Sequence, residues 1–132
     1  MLDYFRDRTL ALHWQCPGIA HNEDIYIGND QGADGGGFWA FNSRGDFKWS
    51  YTMVNGTWSS PAIGSDGIIY IGAADAKIYA LSSSGTLIWN YQTESLIDSS
   101  PAIGFDGKLV AASGNHLYCL INPPTPTITP TR

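Results

Sequence analysis

The chain has 132 residues, 43% of them hydrophobic and only 14% charged, which allows one domain with an apolar core and excludes wholesale disorder. Its net charge of -5 argues against a nucleic-acid partner, because such a partner usually requires a basic face. No apolar run approaches the roughly 18 residues of a membrane span, so no membrane-spanning segment is expected.

One sequence pattern returns about every 40 residues. The segment Ser59-Ser60-Pro61-Ala62-Ile63-Gly64 recurs as Ser99-Ser100-Pro101-Ala102-Ile103-Gly104, and a divergent copy begins at Gln15-Cys16-Pro17. Each unit divides into four short strands joined by tight turns, with no helical periodicity. Repeats of this length and strand number are typical of β-propeller blades.

In chain order, the first predicted element is an isolated outer strand at residues 1–8, because Phe5 falls at the repeat position of Trp49 and Trp89. This segment is not a signal peptide, since acidic residues interrupt it and no apolar stretch follows. Residues 1–121 are then predicted to form a three-blade unit. The blades span about residues 15–52, 59–92 and 99–121, and the last of them lacks its own outer strand.

Residues 122–132 are rich in proline and threonine and are predicted to form an extended tail or linker. Proline lacks a backbone N–H and cannot donate to a strand ladder, so a regular fourth strand is not expected there. We expect a secreted, cell-surface or periplasmic location, with a cytoplasmic one left open because this chain carries no signal peptide.

Three blades are too few for a closed propeller, in which four to eight are typical. A homodimer would make a six-bladed ring if each chain donated its first strand to the other, which leaves no open sheet edge. The chain could instead be a piece of a longer propeller, or its donated strands could link copies into a filament. The homodimer is the favoured alternative.

The unit Ser-Ser-Pro-Ala-Ile-Gly-x-Asp-Gly, followed by Ile-Tyr-Ala-Leu and Gly-x-Leu-x-Trp, resembles the PQQ-like β-propeller repeat. This repeat is found in quinoprotein alcohol dehydrogenases and in the outer-membrane assembly lipoprotein BamB. The resemblance covers about residues 1–121 and implies an all-β propeller of four-stranded antiparallel blades. It also implies structural roles for the repeat positions: tryptophans that dock between blades and glycines that suit tight turns. The repeat residues are Trp49, Trp89, Pro61, Pro101, Gly64 and Gly104.

Catalytic features are not predicted. The dehydrogenases that share this repeat use calcium, a catalytic aspartate and often a disulfide between adjacent cysteines, whereas this chain has only Cys16 and Cys119, on different predicted blades. His13, His21 and His116 accompany no nucleophile motif. We therefore expect a non-enzyme without cofactor or metal, and a fragment of a PQQ-dependent dehydrogenase stays as an alternative.

The loop before each repeat proline carries Trp14, Trp58 or Asp98, which are not residues that the repeat requires. In a propeller this loop ends at the innermost strand, beside the central channel, where an aromatic ring could stack on a sugar or hold a peptide. Packing of both tryptophans against neighbouring blades is the simpler interpretation. The predicted function is thus a scaffold or interaction module that self-assembles through strand exchange, with glycan or peptide binding as the alternative.

Overall fold

A computed structural model of the protein describes residues 15–29, 36–53, 55–121 and 128–129. This part of the chain is all-β and contains no helix. Its strands are Gly18–Ile19 (β1), Ile25–Asn29 (β2), Gly36–Phe41 (β3), Phe47–Met53 (β4), Ala62–Ile63 (β5), Ile69–Gly72 (β6), Lys77–Leu81 (β7), Leu87–Gln92 (β8), Ala102–Ile103 (β9), Leu109–Ser113 (β10), His116–Leu120 (β11) and Ile128–Thr129 (β12).

The strands form three four-stranded antiparallel sheets, each built from consecutive strands. We call β1–β4 blade 1, β5–β8 blade 2 and β9–β12 blade 3. The predicted fold class, a set of propeller blades, is confirmed. The outer strand predicted at residues 1–8 lies outside the described residues.

The turn between the first two strands of a blade follows from an Asp-Gly pair. In blade 2 the Asp66 carboxylate accepts the backbone N–H of Ile68 at 3.1 Å, and Gly67 takes the left-handed φ of 85° that favours glycine. A side chain on Gly64 would place its Cβ 2.6 Å from Asp66 Oδ1, so the repeat glycine leaves room for this carboxylate. The same turn recurs in blade 3 with Asp106.

The core consists of two apolar clusters, each lying between consecutive blades. Strand side chains alternate between the two faces of a sheet. We call the face that packs on the next blade along the chain the forward face, and the opposite one the rear face. Tyr26 and Phe38 on the forward face of blade 1 pack with Ile69 and Leu81 on the rear face of blade 2. The second cluster joins the forward face of blade 2 to the rear face of blade 3 through Tyr70, Ile78, Leu109, Ala111 and Leu120.

A register shift recurs at the same place in blades 1 and 2, between Ala40 and Phe41 and between Ala80 and Leu81. One residue of the outer strand is extra at each shift, which bends the strand locally. Beyond it, Trp49 lies opposite Ala40 and Trp89 opposite Ala80. The irregularity therefore sets both tryptophans on the forward faces of their blades.

The C-terminal segment differs from the predicted tail at one point. Ile128 and Thr129 form β12, which pairs antiparallel with Leu117 and Tyr118 of β11. Both residues lie between Pro126 and Pro130 and keep their backbone N–H groups, which the prolines lack. Among the described residues, β12 pairs two residues of β11, whereas β8 pairs five of β7.

Candidate functional site

The junction of blades 1 and 2 is built on Trp49. Its indole nitrogen donates a hydrogen bond to the carbonyl oxygen of Ser83, 2.9 Å away in the β7–β8 turn of the next blade. Gly85 in the same turn has a φ of 88°, and a Cβ there would lie 2.7 Å from Trp49 Cδ2. The absence of a side chain at Gly85 therefore lets the indole lie against the turn.

Trp89 occupies the corresponding place on the forward face of blade 2. Its ring lies 5.9 Å from that of Tyr70, centroid to centroid, and it packs against the second core cluster. Tyr26 and Trp49 make the equivalent pair in blade 1 at 5.8 Å. The structure thus gives both repeat tryptophans a packing role between blades.

The Ser-Ser-Pro segments link the inner parts of the blades. Ser59 is buried and its hydroxyl accepts the N–H of Gly72 at 3.2 Å. Across the junction, the Ser100 hydroxyl accepts the N–H of Ser60 at 2.9 Å. Pro101 is buried and Pro61 half-buried. Sequence reasoning assigned these serines no role, although their exact repetition was the available signal.

The three residues predicted to line a channel mouth are only partly described. Trp58 is 40% exposed and Asp98 is exposed, in the loops that precede β5 and β9, and Trp14 lies outside the described residues. Thr57, beside Trp58, is buried and donates its hydroxyl to the carbonyl of Gly72 at 2.6 Å. A recognition role for Trp14, Trp58 and Asp98 stays a prediction.

A cleft of about 220 Å³ lies between blades 1 and 2, at the end where the β1–β2, β5–β6 and β7–β8 turns meet. We call it the interblade cleft. Polar side chains from both blades line it, together with glycine and alanine: His21, Asn22, Tyr26, Ser65, Asp66 and Ser83. Of the predicted binding residues that the structure describes, neither Trp58 nor Asp98 lines this cleft.

A polar cluster at the opposite end ties blade 2 to blade 3. Glu94 pairs with Nδ1 of His116, and the N–H of Glu94 donates to the Tyr118 hydroxyl at 3.2 Å. The buried Ser113 hydroxyl donates to the carbonyl of Ser95 at 2.6 Å. These groups form hydrogen bonds with one another, so the cluster serves as a junction between blades 2 and 3.

Within the described residues, no group of three or more His, Cys, Asp or Glu side chains could hold a metal ion. Cys16 is exposed, Cys119 is half-buried, and neither forms a disulfide. The described residues form no apolar helix of the length that spans a bilayer.

The forward face of blade 3 is the one forward face that no following blade of the described chain covers. It carries Val110, Ala112, Leu117 and Cys119, because Leu109 and Ala111 point to blade 2. Leu117 is 39% exposed and Ala112 is exposed, whereas their counterparts in blade 2, Ile78 and Gly72, are buried. This apolar face is the surface on which a further blade would pack.

Comparison with known proteins identifies the fold. No family model matches the sequence, and no curated protein matches it. Among solved structures, BamB from Moraxella catarrhalis superposes with a TM-score of 0.69 at 19% identity, over 89% of this chain and 36% of that one. The quinohemoprotein alcohol dehydrogenase from Comamonas testosteroni gives 0.67 at 17% identity, over 81% of this chain and 19% of that one. A protein of unknown function from Bacteroides caccae gives 0.61 at 12% identity, over 89% and 45%.

The chain spans less than half the length of each of these structures. Identities below one fifth carry the fold and no activity. The partial coverage agrees with a chain that holds part of a blade set. The chain therefore has the fold of the β-propeller blades in these structures, as the repeat pattern predicted.

Proposed function

We propose that the chain is a non-catalytic propeller scaffold that completes its ring by associating with a second copy of itself. Two copies of a three-blade unit would supply six blades, within the range of four to eight in closed propellers. The observation that carries this proposal is the uncovered forward face of blade 3. A location outside the cytoplasm and the absence of enzymatic activity stay predictions.

The repeat itself indicates what covers that face. The forward faces of blades 1 and 2 are each packed against the rear face of the next blade, through clusters of aliphatic and aromatic side chains. Blade 3 presents Leu117, Val110 and Cys119 at the same positions. The matching surface is therefore the rear face of another such blade, and blade 1 of a second copy supplies one.

The rear face of blade 1 has the composition that this packing needs. Ile25, Ile27, Trp39 and Phe41 stand at the repeat positions of the rear-face residues of blade 2, namely Ile69, Ile71, Tyr79 and Leu81. Trp39 and Phe41 are buried within the single chain, at 8% and 1% exposure. Association of this face would therefore replace the contacts that they make in the single chain.

Strand exchange would complete the sheets at the same time. β12 pairs only Leu117 and Tyr118, so most of the outer edge of β11 has no partner strand among the described residues. An N-terminal strand from the second copy, predicted at residues 1–8, would cover this edge. A paired edge is protected from further, unspecific strand addition.

The proposal is tested by sedimentation velocity on paired variants. Leu117→Asp puts a charge on the forward face of blade 3 and is expected to abolish a two-chain species, because an unpaired charge is costly to bury. Ile88→Asp is the matched control: Ile88 is 46% exposed on the outer strand of blade 2, away from that face. It should leave association unchanged.

Equal association of wild type and Leu117→Asp would contradict the proposed interface. A wild type that stays at one chain at every concentration would contradict self-association. In that case the missing blades belong to a longer propeller, and the fragment alternative, including the fragment of a PQQ-dependent dehydrogenase, would take its place.

A further inference from the structure

The interblade cleft has the size of a site for a small molecule. Its volume of about 220 Å³ falls below the roughly 300 Å³ at which pockets for drug-sized ligands begin. Turns of two blades form its walls, and the hydrogen bond between Trp49 and Ser83 holds the two blades together beside it. All the described lining residues belong to one chain, so we do not expect the cleft to depend on self-association.

Tyr26 is the most informative residue in the cleft. The residue is 1% exposed, and its ring is fixed by a stacked contact with Phe38 at 6.2 Å and by Trp49 at 5.8 Å. Its hydroxyl makes no hydrogen bond within the described residues. Every fully buried side-chain nitrogen or oxygen atom in these residues has a partner, so the Tyr26 hydroxyl is not fully buried. The hydroxyl therefore opens onto the cleft. Burial and the nearby Asp24 raise the pKa of Tyr26, which keeps the phenol protonated as a donor.

Three further polar groups in the cleft have unused hydrogen-bonding capacity. Asp66 Oδ1 accepts the N–H of Ile68 at 3.1 Å, and no Lys or Arg of the described residues forms an ion pair with this carboxylate. The hydroxyls of Ser65 and Ser83 make no hydrogen bond within the described part of the chain. The Trp49 indole N–H donates to the backbone carbonyl oxygen of Ser83 and not to its hydroxyl. Among the described residues, the cleft thus collects hydroxyls without a hydrogen-bond partner and a carboxylate with spare acceptor capacity.

The chemistry of the lining narrows the class of ligand. No Lys or Arg of the described residues lines the cleft, so a phosphate or carboxylate would meet Asp66 without a counter-ion from them. The rest of the described lining is His21, Asn22, glycine and alanine, which offers little apolar surface to a hydrophobic molecule. Hydroxyls both donate and accept, and a carboxylate accepts from two donors at once. This set suits a neutral molecule that carries several adjacent hydroxyl groups.

We propose that the interblade cleft binds a single sugar ring or a polyol of similar size, held by Tyr26, Asp66, Ser65 and Ser83. The Tyr26 ring is 1% exposed and packs on Phe38 and Trp49, so it offers no free face for stacking, and binding rests on hydrogen bonds. We expect weak affinity, with a Kd on the order of 1 mM. This site lies on different turns from the loops of Trp58 and Asp98.

The test is a titration of the ¹⁵N-labelled protein, followed by amide chemical shifts. The probes are methyl α-D-glucopyranoside, methyl α-D-mannopyranoside, methyl β-D-galactopyranoside and myo-inositol, with methylammonium chloride as a cationic comparison. At least one sugar or myo-inositol should give saturable shifts in residues 20–26 and 64–67. Tyr26→Phe and Asp66→Asn should each weaken that binding about tenfold, which corresponds to about 1.4 kcal/mol.

The repeat supplies a matched control variant. Asp106 occupies the position of Asp66 in blade 3 and accepts the N–H of Lys108 in the same way, but does not line the cleft. Asp106→Asn should leave the affinity unchanged. The proposal is overturned if no polyol probe gives saturable shifts, if methylammonium alone does so, or if the shifts survive in Tyr26→Phe and Asp66→Asn. The oligomeric state is read separately by sedimentation, so failure of this site and failure of self-association are distinguishable.

Discussion

The indole nitrogen of Trp49 donates to the carbonyl oxygen of Ser83 at 2.9 Å, and this bond joins the outer strand of one blade to the β7–β8 turn of the next. The indole also packs against Tyr26 and Phe38, with ring centroids 5.8 and 6.3 Å away. One side chain therefore contributes both the apolar contact and the directional bond of a blade junction. The register shift in β3 and β4 is what sets Trp49 on that face.

The first prediction concerns Gly85. Gly85→Ala should destabilise the protein by about 3 kcal/mol. The alanine would have to adopt a left-handed φ, and its Cβ would lie 2.7 Å from Trp49 Cδ2. Gly67→Ala is the control, since Gly67 has the same kind of φ but no heavy atom within 4 Å of the added Cβ. Gly67→Ala should lower the free energy of unfolding by only about 1 kcal/mol, which is the cost of placing an alanine at a left-handed φ. Urea unfolding measures both, and equal losses would show that the Trp49 contact does not matter.

The second prediction concerns the buried carboxylate of Asp24. Asp24 is 5% exposed, and it pairs with Lys48 and accepts from the Asn22 amide at 2.9 Å. Lys48→Met should cost about 1–2 kcal/mol, because it leaves a buried charge without its cation, and the partial exposure of Lys48 reduces the full penalty. Lys108→Met is the control, since the Lys108–Asp106 pair is about half exposed at 3.6 Å. Lys108→Met should therefore leave the urea unfolding midpoint unchanged, and an equal fall of the midpoint in both variants would refute the distinction.

The third prediction concerns stability at alkaline pH. Burial raises the pKa of Tyr79 well above its ordinary value of 10.0, and the hydrogen bond and negative charge of Asp75 add to the effect. The folded state then holds its proton more tightly than the unfolded state. The resulting stability is fully present below pH 10.0 and is lost as the pH rises above it.

Tyr79→Phe removes this titrating group and tests the assignment. The variant should be less stable near neutral pH, since it loses the bond to Asp75, but its stability should fall less steeply above pH 10.0. Tyr26 and Tyr70 also have raised pKa values, so some alkaline loss should persist. Urea midpoints measured from neutral pH to about pH 11 give the slopes. Parallel curves for the two proteins would contradict the role of Tyr79.

The repeat pattern predicted the fold because each blade is specified locally. Strands are favoured by β-branched and aromatic residues such as Ile69 and Tyr70, and turns by pairs such as Asp66-Gly67. Both signals act over a few residues and recur in the repeats. Blades 1 and 2 accordingly have the four antiparallel strands that the repeat predicts. β12 escaped prediction because only three residues separate Pro126 from Pro130, and the pairing of Ile128 and Thr129 depends on where β11 lies in space.

The interblade cleft escaped prediction for a similar reason. His21, Ser65 and Ser83 are ordinary turn residues in the sequence, and only the packing of blade 1 on blade 2 brings them together. In the sequence, Tyr26 stands at a repeat position where an aromatic core residue is expected. That its hydroxyl has no hydrogen-bond partner among the described residues becomes visible only once its neighbours are placed. Conversely, Trp58 and Asp98 are distinctive in sequence, yet their exposure leaves their role to experiment.

The mass of the purified chain in solution, measured by light scattering over a range of concentrations, tests the central claim most directly. A two-copy ring predicts a discrete species of twice the 14.3 kDa chain mass. A single-chain mass at every concentration would contradict self-association. Masses that grow without limit would contradict the closed ring in favour of an open assembly.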